Sequence, residues 1–548
     1  MAWPPTYSWY SGSRLSRRRF LGLAAGAMGA LGVGLAGCRG EPTVKEGGPA
    51  TEPGQPKAGG TLRTVATNDP ASFDMHQETS FQTLTVIAPL YNNLVQFKPG
   101  TMELEGDLAQ NFELMADGTI VFHLRDNIRW HDGRPFVADD VIWNFQRMMS
   151  PPQGVRAPRR DWFDSVDRVE AIDAKTVRII QKYPRASFLP SLAINWTVML
   201  PPHAIARINE SPIGTGPFRF VEYQRSVRIR YAKNQDYFKP GLPYLDGIEI
   251  LITTDQRAQM EAFRTRQVDM LSPMSRLEPP LVKELQSALP SGAQVMSFDG
   301  WRWFATFFNT TRPPFNDRRV RYAVHLLLQR QEAIQVLEEG LGLIGSYLPP
   351  SSPWGVDERT VAGRPGFRPD KTTDVAEAKR LLEQGGITPG NPVRVEGITR
   401  GELYPRHPVW LADQLKPYGI EVQPLLLDSA EEQRRLDQKR FDIRTSANAL
   451  QLPDPDNIVR YYITGGGFNY GNYSNPQMDQ LLQAQARELD EARRRSLVTQ
   501  LISMLESEAP APPVYWTTNF VFLHENVKNF RPGPGTYANN KYEDVWFS

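Results

Sequence analysis

Residues 107–141, DLAQNFELMADGTIVFHLRDNIRWHDGRPFVADDV, carry the reading on which the fold turns. Glu113 and Leu114 run into Ala116-Asp117-Gly118, after which Ile120, Phe122 and Leu124 alternate with Val121 and His123. Two such runs joined by Asp-Gly predict a hairpin. Beyond His131-Asp132-Gly133, Val141, Phe145 and Met148 recur at helical spacing. Asp139 and Asp140 stand in the first turn of that helix, where carboxylates complement the dipole. A strand pair followed by an amphipathic helix is the local pattern.

The same patterning extends outward. Val177/Ile179, Val227/Ile229/Tyr231 and Ile248/Ile250/Ile252 predict further short strands. Helical periodicity then dominates: Val320/Val324/Leu327 after Asp317, Ala378/Leu381/Leu382 after Asp374, Leu411/Leu415, Met478/Leu481/Leu482 and Leu497/Leu501/Leu505. With 46 prolines and 42 glycines among 548 residues, the chain is turn-rich, which argues against a coiled coil or helical bundle. No repeat of 20 to 50 residues is visible, so a solenoid or propeller is not indicated. A multi-lobed α/β body with helices packed on a few strands in its second half is the expectation.

Charge narrows the class of partner. The formal net charge is +1, yet Arg14, Arg17, Arg18 and Arg19 are the only charged residues before Cys38, so the remainder is mildly acidic. No long Lys/Arg run follows, and nucleic acid, which needs a basic surface, is not expected as a partner. One cysteine in the whole chain excludes a disulfide framework and a cysteine-rich metal site.

That cysteine is placed as an address. Ser16-Arg17-Arg18-Arg19-Phe20-Leu21 precedes a stretch from Leu21 to Gly37 interrupted by six glycines and ending in Leu35-Ala36-Gly37-Cys38. The arrangement resembles a twin-arginine export signal, read at Arg17 and Arg18, followed by a lipobox whose cysteine takes a lipid. The apolar run is shorter than the roughly 20 residues of a spanning helix. Residues 1–38 are therefore expected to be a signal and 39–59, rich in Gly, Pro, Glu and Lys, a flexible tether.

Four ordered blocks carry a resemblance to a known family. The first is the stretch quoted above, with its Asp-Gly-Thr, His-Leu-Arg, His-Asp-Gly and Ala-Asp-Asp-Val. The second is Pro212-Ile213-Gly214-Thr215-Gly216-Pro217-Phe218 with Asn234-Gln235-Asp236-Tyr237-Phe238 and Tyr244-Leu245-Asp246-Gly247-Ile248. The third is Phe308-Asn309-Thr310 with Pro313-Pro314-Phe315 and Asp317-Arg318-Arg319-Val320-Arg321, and the fourth Pro453-Asp454-Pro455-Asp456, followed at the end by Tyr542-Glu543-Asp544-Val545-Trp546. Together they resemble the extracytoplasmic solute-binding proteins of family 5, which serve peptide and nickel ABC importers.

The resemblance implies a periplasmic-binding-protein-like α/β fold of two lobes joined by a hinge, with an extra domain on the first. The implied boundaries are 60–95, 206–300 and 513–548 for lobe I, 96–205 for the extra domain and 301–512 for lobe II. It further implies a monomer outside the membrane, anchored through Cys38, that captures a peptide or similar small solute for an ABC permease. Closure requires ligand contacts better made in the closed state, so ligand must touch both lobes.

Candidate contacts follow. Trp301 and Trp303 offer broad apolar faces, and Thr79, Ser80 and Phe81 lie in the first inter-lobe segment. Arg400 and Arg406, flanking Tyr404, are suited to a ligand carboxylate. Peptide-binding members carry a tryptophan and an ammonium-pairing aspartate ahead of the fourth block; here Asn448 and Gln451 stand there, and a neutral amide cannot offer a full charge. Oligosaccharides, opine-like conjugates and metal chelates stand behind peptide as cargo.

Bland readings hold elsewhere. Gly214-Thr215-Gly216 lacks the Lys-Ser/Thr of a phosphate loop and reads as a turn, as does His131-Asp132-Gly133. The seven histidines show no metal-ligand spacing, and neither metal nor cofactor is expected. An exported hydrolase or ligand sensor on the same body is the alternative class, but no nucleophile motif with a partnered base supports an enzyme.

Overall fold

The computed structural model describes residues 54–275, 277–452, 454–533, 538 and 540–548. Cys38, Arg17, Arg18 and the remainder of the signal lie outside the described residues, as does most of the tether. Among the described residues no helix is long and apolar enough to cross a membrane.

Residues 107–141 fold as their pattern demands. Ala109–Leu114 pairs antiparallel with Ile120–Leu124, Phe112 facing Phe122, and Gly118 takes the turn at φ +86°. Helix Ala138–Met149 buries Val141, Phe145 and Met148. Asp140 accepts from the Val137 backbone N–H at 3.0 Å and from the Trp130 indole at 3.2 Å, so it caps the helix rather than merely facing the dipole. Thr176–Gln181 and Val166–Asp173 complete a four-stranded antiparallel sheet. A second four-stranded sheet sets Thr61–Ala66 parallel to Gly247–Ile252, followed antiparallel by Arg228–Lys233 and Phe218–Gln224. Val227 falls just outside its predicted strand and is exposed.

The glycines of the second block are packing devices. A Cβ added to Gly214 or Gly216 would overlap the Leu90 carbonyl. Both let the loop press against the backbone of Pro89-Leu90, and the Gly216 N–H donates to Leu90 O at 2.9 Å. His131 locks the first block to the second: its Nδ1 accepts from the Gly214 N–H at 3.1 Å and its Nε2 lies 3.0 Å from the Gly216 carbonyl. This pairing specifies the neutral Nε2–H tautomer. Deeper in the same half, Asp107 is fully buried against Lys239 and Lys541 at 2.9 and 2.7 Å, and Glu543 bonds Lys239 at 2.7 Å. The block at the chain's end is thereby tied to the block at residue 107.

The largest sheet is the part that periodicity did not reveal. Its order is Met270–Leu271, Pro513–His524, Ala293–Phe308, Ile443–Ala449, Val393–Arg400 and Ile420–Leu427, with Gly342–Leu343 also on Pro513–His524. Ile443–Ala449, Val393–Arg400 and Ile420–Leu427 are mutually parallel. The 16-residue strand Ala293–Phe308 contains Asp299-Gly300, which reads as a turn in sequence. In the structure it is a bulge: pairing shifts between Asp299 and Trp303, and Trp301 adopts φ +51°. Beyond it, Trp303 and Ala305 face one core and Phe304 and Phe308 another, with period two. In helix Glu491–Glu508 the buried stripe is Val498, Leu501, Ile502 and Leu505, so Leu497 is at its margin.

Burial holds the His131 imidazole well below its ordinary pKa of 6.5, at about 4. A depressed histidine is neutral in the fold and takes up a proton on unfolding at any pH between those values. Its contribution to stability is complete above pH 6.5 and falls away as pH drops toward 4. His76, buried and likewise lowered to about 4, acts with the same sign. Urea unfolding should give a stability lower by roughly 2 kcal/mol at pH 5 than at pH 7 for His131 alone. Equal midpoints at the two pH values would contradict this assignment.

Candidate binding site between the lobes

The strands Ala293–Phe308 and Pro513–His524 pass together from one half of the molecule to the other. On one side of the bulge, Ala293–Asp299 pairs with Thr518–His524 beside Met270–Leu271; on the other, Trp303–Ala305 pairs with Pro513–Trp516 beside Ile443–Ala449. Gly300 is required at the crossing because an added Cβ would overlap Thr517 Oγ1 and lie 2.9 Å from its carbonyl oxygen. Next to the crossing is a narrow pocket lined by Phe81, Thr85, Ser272, Met274, Phe298, Asn519, Phe530 and Tyr542 among others. Aromatic walls with a few hydroxyl and amide groups are the composition of a small-molecule site.

Ser80 caps the helix Phe81–Ile87, its hydroxyl accepting from the Thr83 N–H at 3.5 Å. That helix carries Phe81 and Thr85 to the pocket wall, one turn apart. Thr79 stands exposed just ahead of the cap. Across the crossing, strands Val393–Arg400 and Ile420–Leu427 end together and Ile443–Ala449 runs slightly past them, and open α/β sheets bind ligands at the carboxyl ends of parallel strands. Asn448 and Gln451 sit at this end. Gln451 Oε1 accepts from Arg460 Nη1 at 2.9 Å, and the Arg460 guanidinium lies over the Phe468 ring at 3.6 Å.

The candidate residues do not form one surface. Trp301 and Trp303 are 5% and 1% exposed, and Trp303 packs between Trp516 at 5.4 Å and Tyr461 at 5.3 Å. In place of the open aromatic face expected of a ligand platform, both tryptophans fill the core, because the bulge turns that stretch inward against the helices beyond. Tyr404 packs edge-on against Phe304 at 4.8 Å, on the opposite face of the sheet from Trp303. Arg400 is paired with Glu432 at 3.0 Å, and Arg406 donates to the Leu337 carbonyl at 2.9 Å, so each already has a protein partner. Phe298, Asn519 and Thr85 were not singled out in sequence, and Tyr542 stood out only as part of the family block at the chain's end.

Contacts between the halves close one end of the cleft. Arg185 Nε and Ser187 Oγ bond Asp456 Oδ2 at 2.8 and 2.6 Å, and the Ala186 N–H donates to Ala486 O at 2.9 Å. Burial alone would raise the Asp456 pKa; Arg185, Ser187 and Arg494 outweigh it and hold the carboxyl below its ordinary range. Asp454, two residues earlier, is paired with Arg494 at 2.5 Å. Leu450 belongs to the core around Trp303, whereas Leu452 is buried in the core around Leu62 and Phe145. The fourth block therefore bridges the two bodies.

Residues 103–470 match the bacterial extracellular solute-binding proteins, family 5 Middle. The chain belongs to this family. Di/tripeptide-binding protein 2 of Pseudomonas aeruginosa is 28% identical over 518 residues, covering 88% of this chain and 93% of that protein. Heme-binding protein A of Haemophilus influenzae is 24% identical, covering 82% and 85%. HbpA2 from Haemophilus parasuis superposes with TM-score 0.77 at 22% identity over 89% of this chain and all of that one. The periplasmic binding protein DppA from Helicobacter pylori, solved with the peptide STSA, gives 0.72 at 23% identity over 90% and 98%. The fold is the two-lobed α/β fold of family 5, and the crossing strands join its lobes.

Gly300→Ala should lower stability by about 1–3 kcal/mol, the usual cost of forcing atoms into a filled site. Gly467→Ala, where an added Cβ meets nothing within 4 Å, serves as control and should change little. Chemical denaturation of both variants checks the difference.

Proposed function

We propose that the protein captures a peptide or similar small solute in the cleft beside the crossing strands and delivers it, as a monomer, to the permease of an ABC importer. The observation that carries this reading is the pocket at the lobe junction, walled by Phe81, Phe298 and Phe530 with Asn519 and Thr85 as polar anchors. Such a site suits peptides because apolar walls tolerate varied side chains while a few polar groups orient the main chain. The di/tripeptide-binding relatives, aligned over most of both chains, support the choice of peptide.

In this reading segments 60–95, 206–300 and 513–548 form lobe I, 96–205 the added domain and 301–512 lobe II. The bonds from Arg185 and Ser187 to Asp456 then act as a latch between the added domain and lobe II. A latch made only in the closed form stabilises that form, and ligand affinity rises with the closed population. Arg17 and Arg18 direct export and a lipid on Cys38 holds the protein outside the membrane. Cys38→Ser should move it from the membrane to the soluble fraction of its host; retention in the membrane would count against lipid anchoring.

Native mass spectrometry of protein from its own host, followed by calorimetry with the recovered solute, tests capture directly. A peptide should co-purify and should raise the melting temperature of the free protein, as any ligand confined to the folded state does. Asp456→Ala should weaken that peptide severalfold while leaving its contacts in the pocket intact. An unchanged affinity would remove the latch. Recovery of a sugar or metal chelate instead of a peptide would replace the cargo.

A further inference from the structure

At the carboxyl end of the lobe II strands, three buried nitrogen donors have no hydrogen-bond partner among the described residues: Trp303 Nε1, Asn448 Nδ2 and Arg460 Nε. They belong to one contiguous group. Trp303 and Asn448 are register partners on adjacent strands, so their side chains share a face. Trp303 meets Tyr461, Tyr461 meets Phe468 at 5.9 Å, and Phe468 underlies Arg460. An indole N–H and a guanidinium N–H can only donate, and the Asn448 amide can turn its NH₂ toward the same acceptor.

The charge here is one-sided. Arg460 has no carboxylate within ion-pairing distance among the described residues, and Gln451 orients it with a neutral oxygen. The nearest acids in the chain, Asp454 and Asp456, are already committed to Arg494 and Arg185. Unpartnered buried donors are costly, and a guanidinium bound to an oxyanion makes the stronger class of hydrogen bond. A ligand ammonium placed in this corner would meet the Arg460 charge, and the Gln451 oxygen is already bonded to Arg460.

We infer that this corner of the cleft receives a ligand carboxylate, with Arg460 as its charged partner and Trp303 and Asn448 as neutral donors, so that the solute is an acidic or N-acylated peptide rather than one with a free α-ammonium there. The inference rests on the peptide-capture reading above. It differs from it in naming which end chemistry the site accepts.

Calorimetry of the full chain with Ala-Ala-Ala, N-acetyl-Ala-Ala-Ala and N-succinyl-Ala-Ala-Ala separates the possibilities, since succinylation puts a carboxylate where the ammonium was. The succinyl form should bind at least tenfold more tightly than the free amine, with the acetyl form between. Arg460→Gln should erase most of that advantage. Because Arg460 also stacks on Phe468, Gln451→Asp is the companion variant: it keeps the stack, supplies Arg460 with an internal carboxylate and should produce the same loss. Free tripeptide binding as well as or better than the succinyl form would overturn the carboxylate site and leave peptide capture standing. If no peptide binds but citrate raises the melting temperature of the native chain and not of Arg460→Gln, the carboxylate site stands and peptide capture falls. If none of these ligands binds, both fall.

Discussion

Everything that positions the site depends on one pair of antiparallel strands, Ala293–Phe308 and Pro513–His524, that run through both lobes. Two strands are the fewest that hold a lobe by a ladder of backbone hydrogen bonds while leaving a line about which it can turn. The ladder is interrupted at Gly300–Arg302, where Trp301 takes a left-handed backbone and Gly300 lies against Thr517. Regular pairing on either side of a short shift in register concentrates bending at the shift. The pocket lies beside that stretch, so a change in the angle between the lobes is felt there first.

Each lobe is made stiff by polar groups that its interior cannot leave unmatched. His131 satisfies two backbone groups of the Gly214–Gly216 loop, and that loop fits only because it has no side chains against Leu90. Asp107 and Glu543 together neutralise Lys239 and Lys541 in a largely buried cluster. Removing any one partner there would strand a buried charge, the most damaging loss such a network can suffer. In the fourth block the same economy operates between bodies: Asp454 ties its own lobe through Arg494, and Asp456 reaches across to Arg185.

Much of this was legible in the order of residues. The hairpin at Asp117-Gly118, the helix after Asp139-Asp140 and the helices after Asp317 and Asp374 follow from local rules of turn, cap and period, which need no distant partner. The family blocks were legible too, since they are runs of neighbours in sequence. The site was less so. Phe81 was a candidate because it sits in a recognisable segment, and Gln451 because a charge is missing there. Phe298 and Asn519 lie far apart in the chain and become neighbours only through strand pairing.

What sequence alone determined is therefore the family, the mixed α/β class and the local elements, because propensity, periodicity and motif order act over a few residues at a time. Tertiary structure alone decided that Asp299-Gly300 is a bulge within a long strand and not a turn, and that Trp303 is core. It also decided that Arg400 and Arg406 already have partners while Arg460 has no carboxylate partner among the described residues. The physical reason is the same in each case: whether a side chain is a wall, a brace or a free donor depends on which distant atoms satisfy it, and that is settled only when the two crossing strands bring the lobes together.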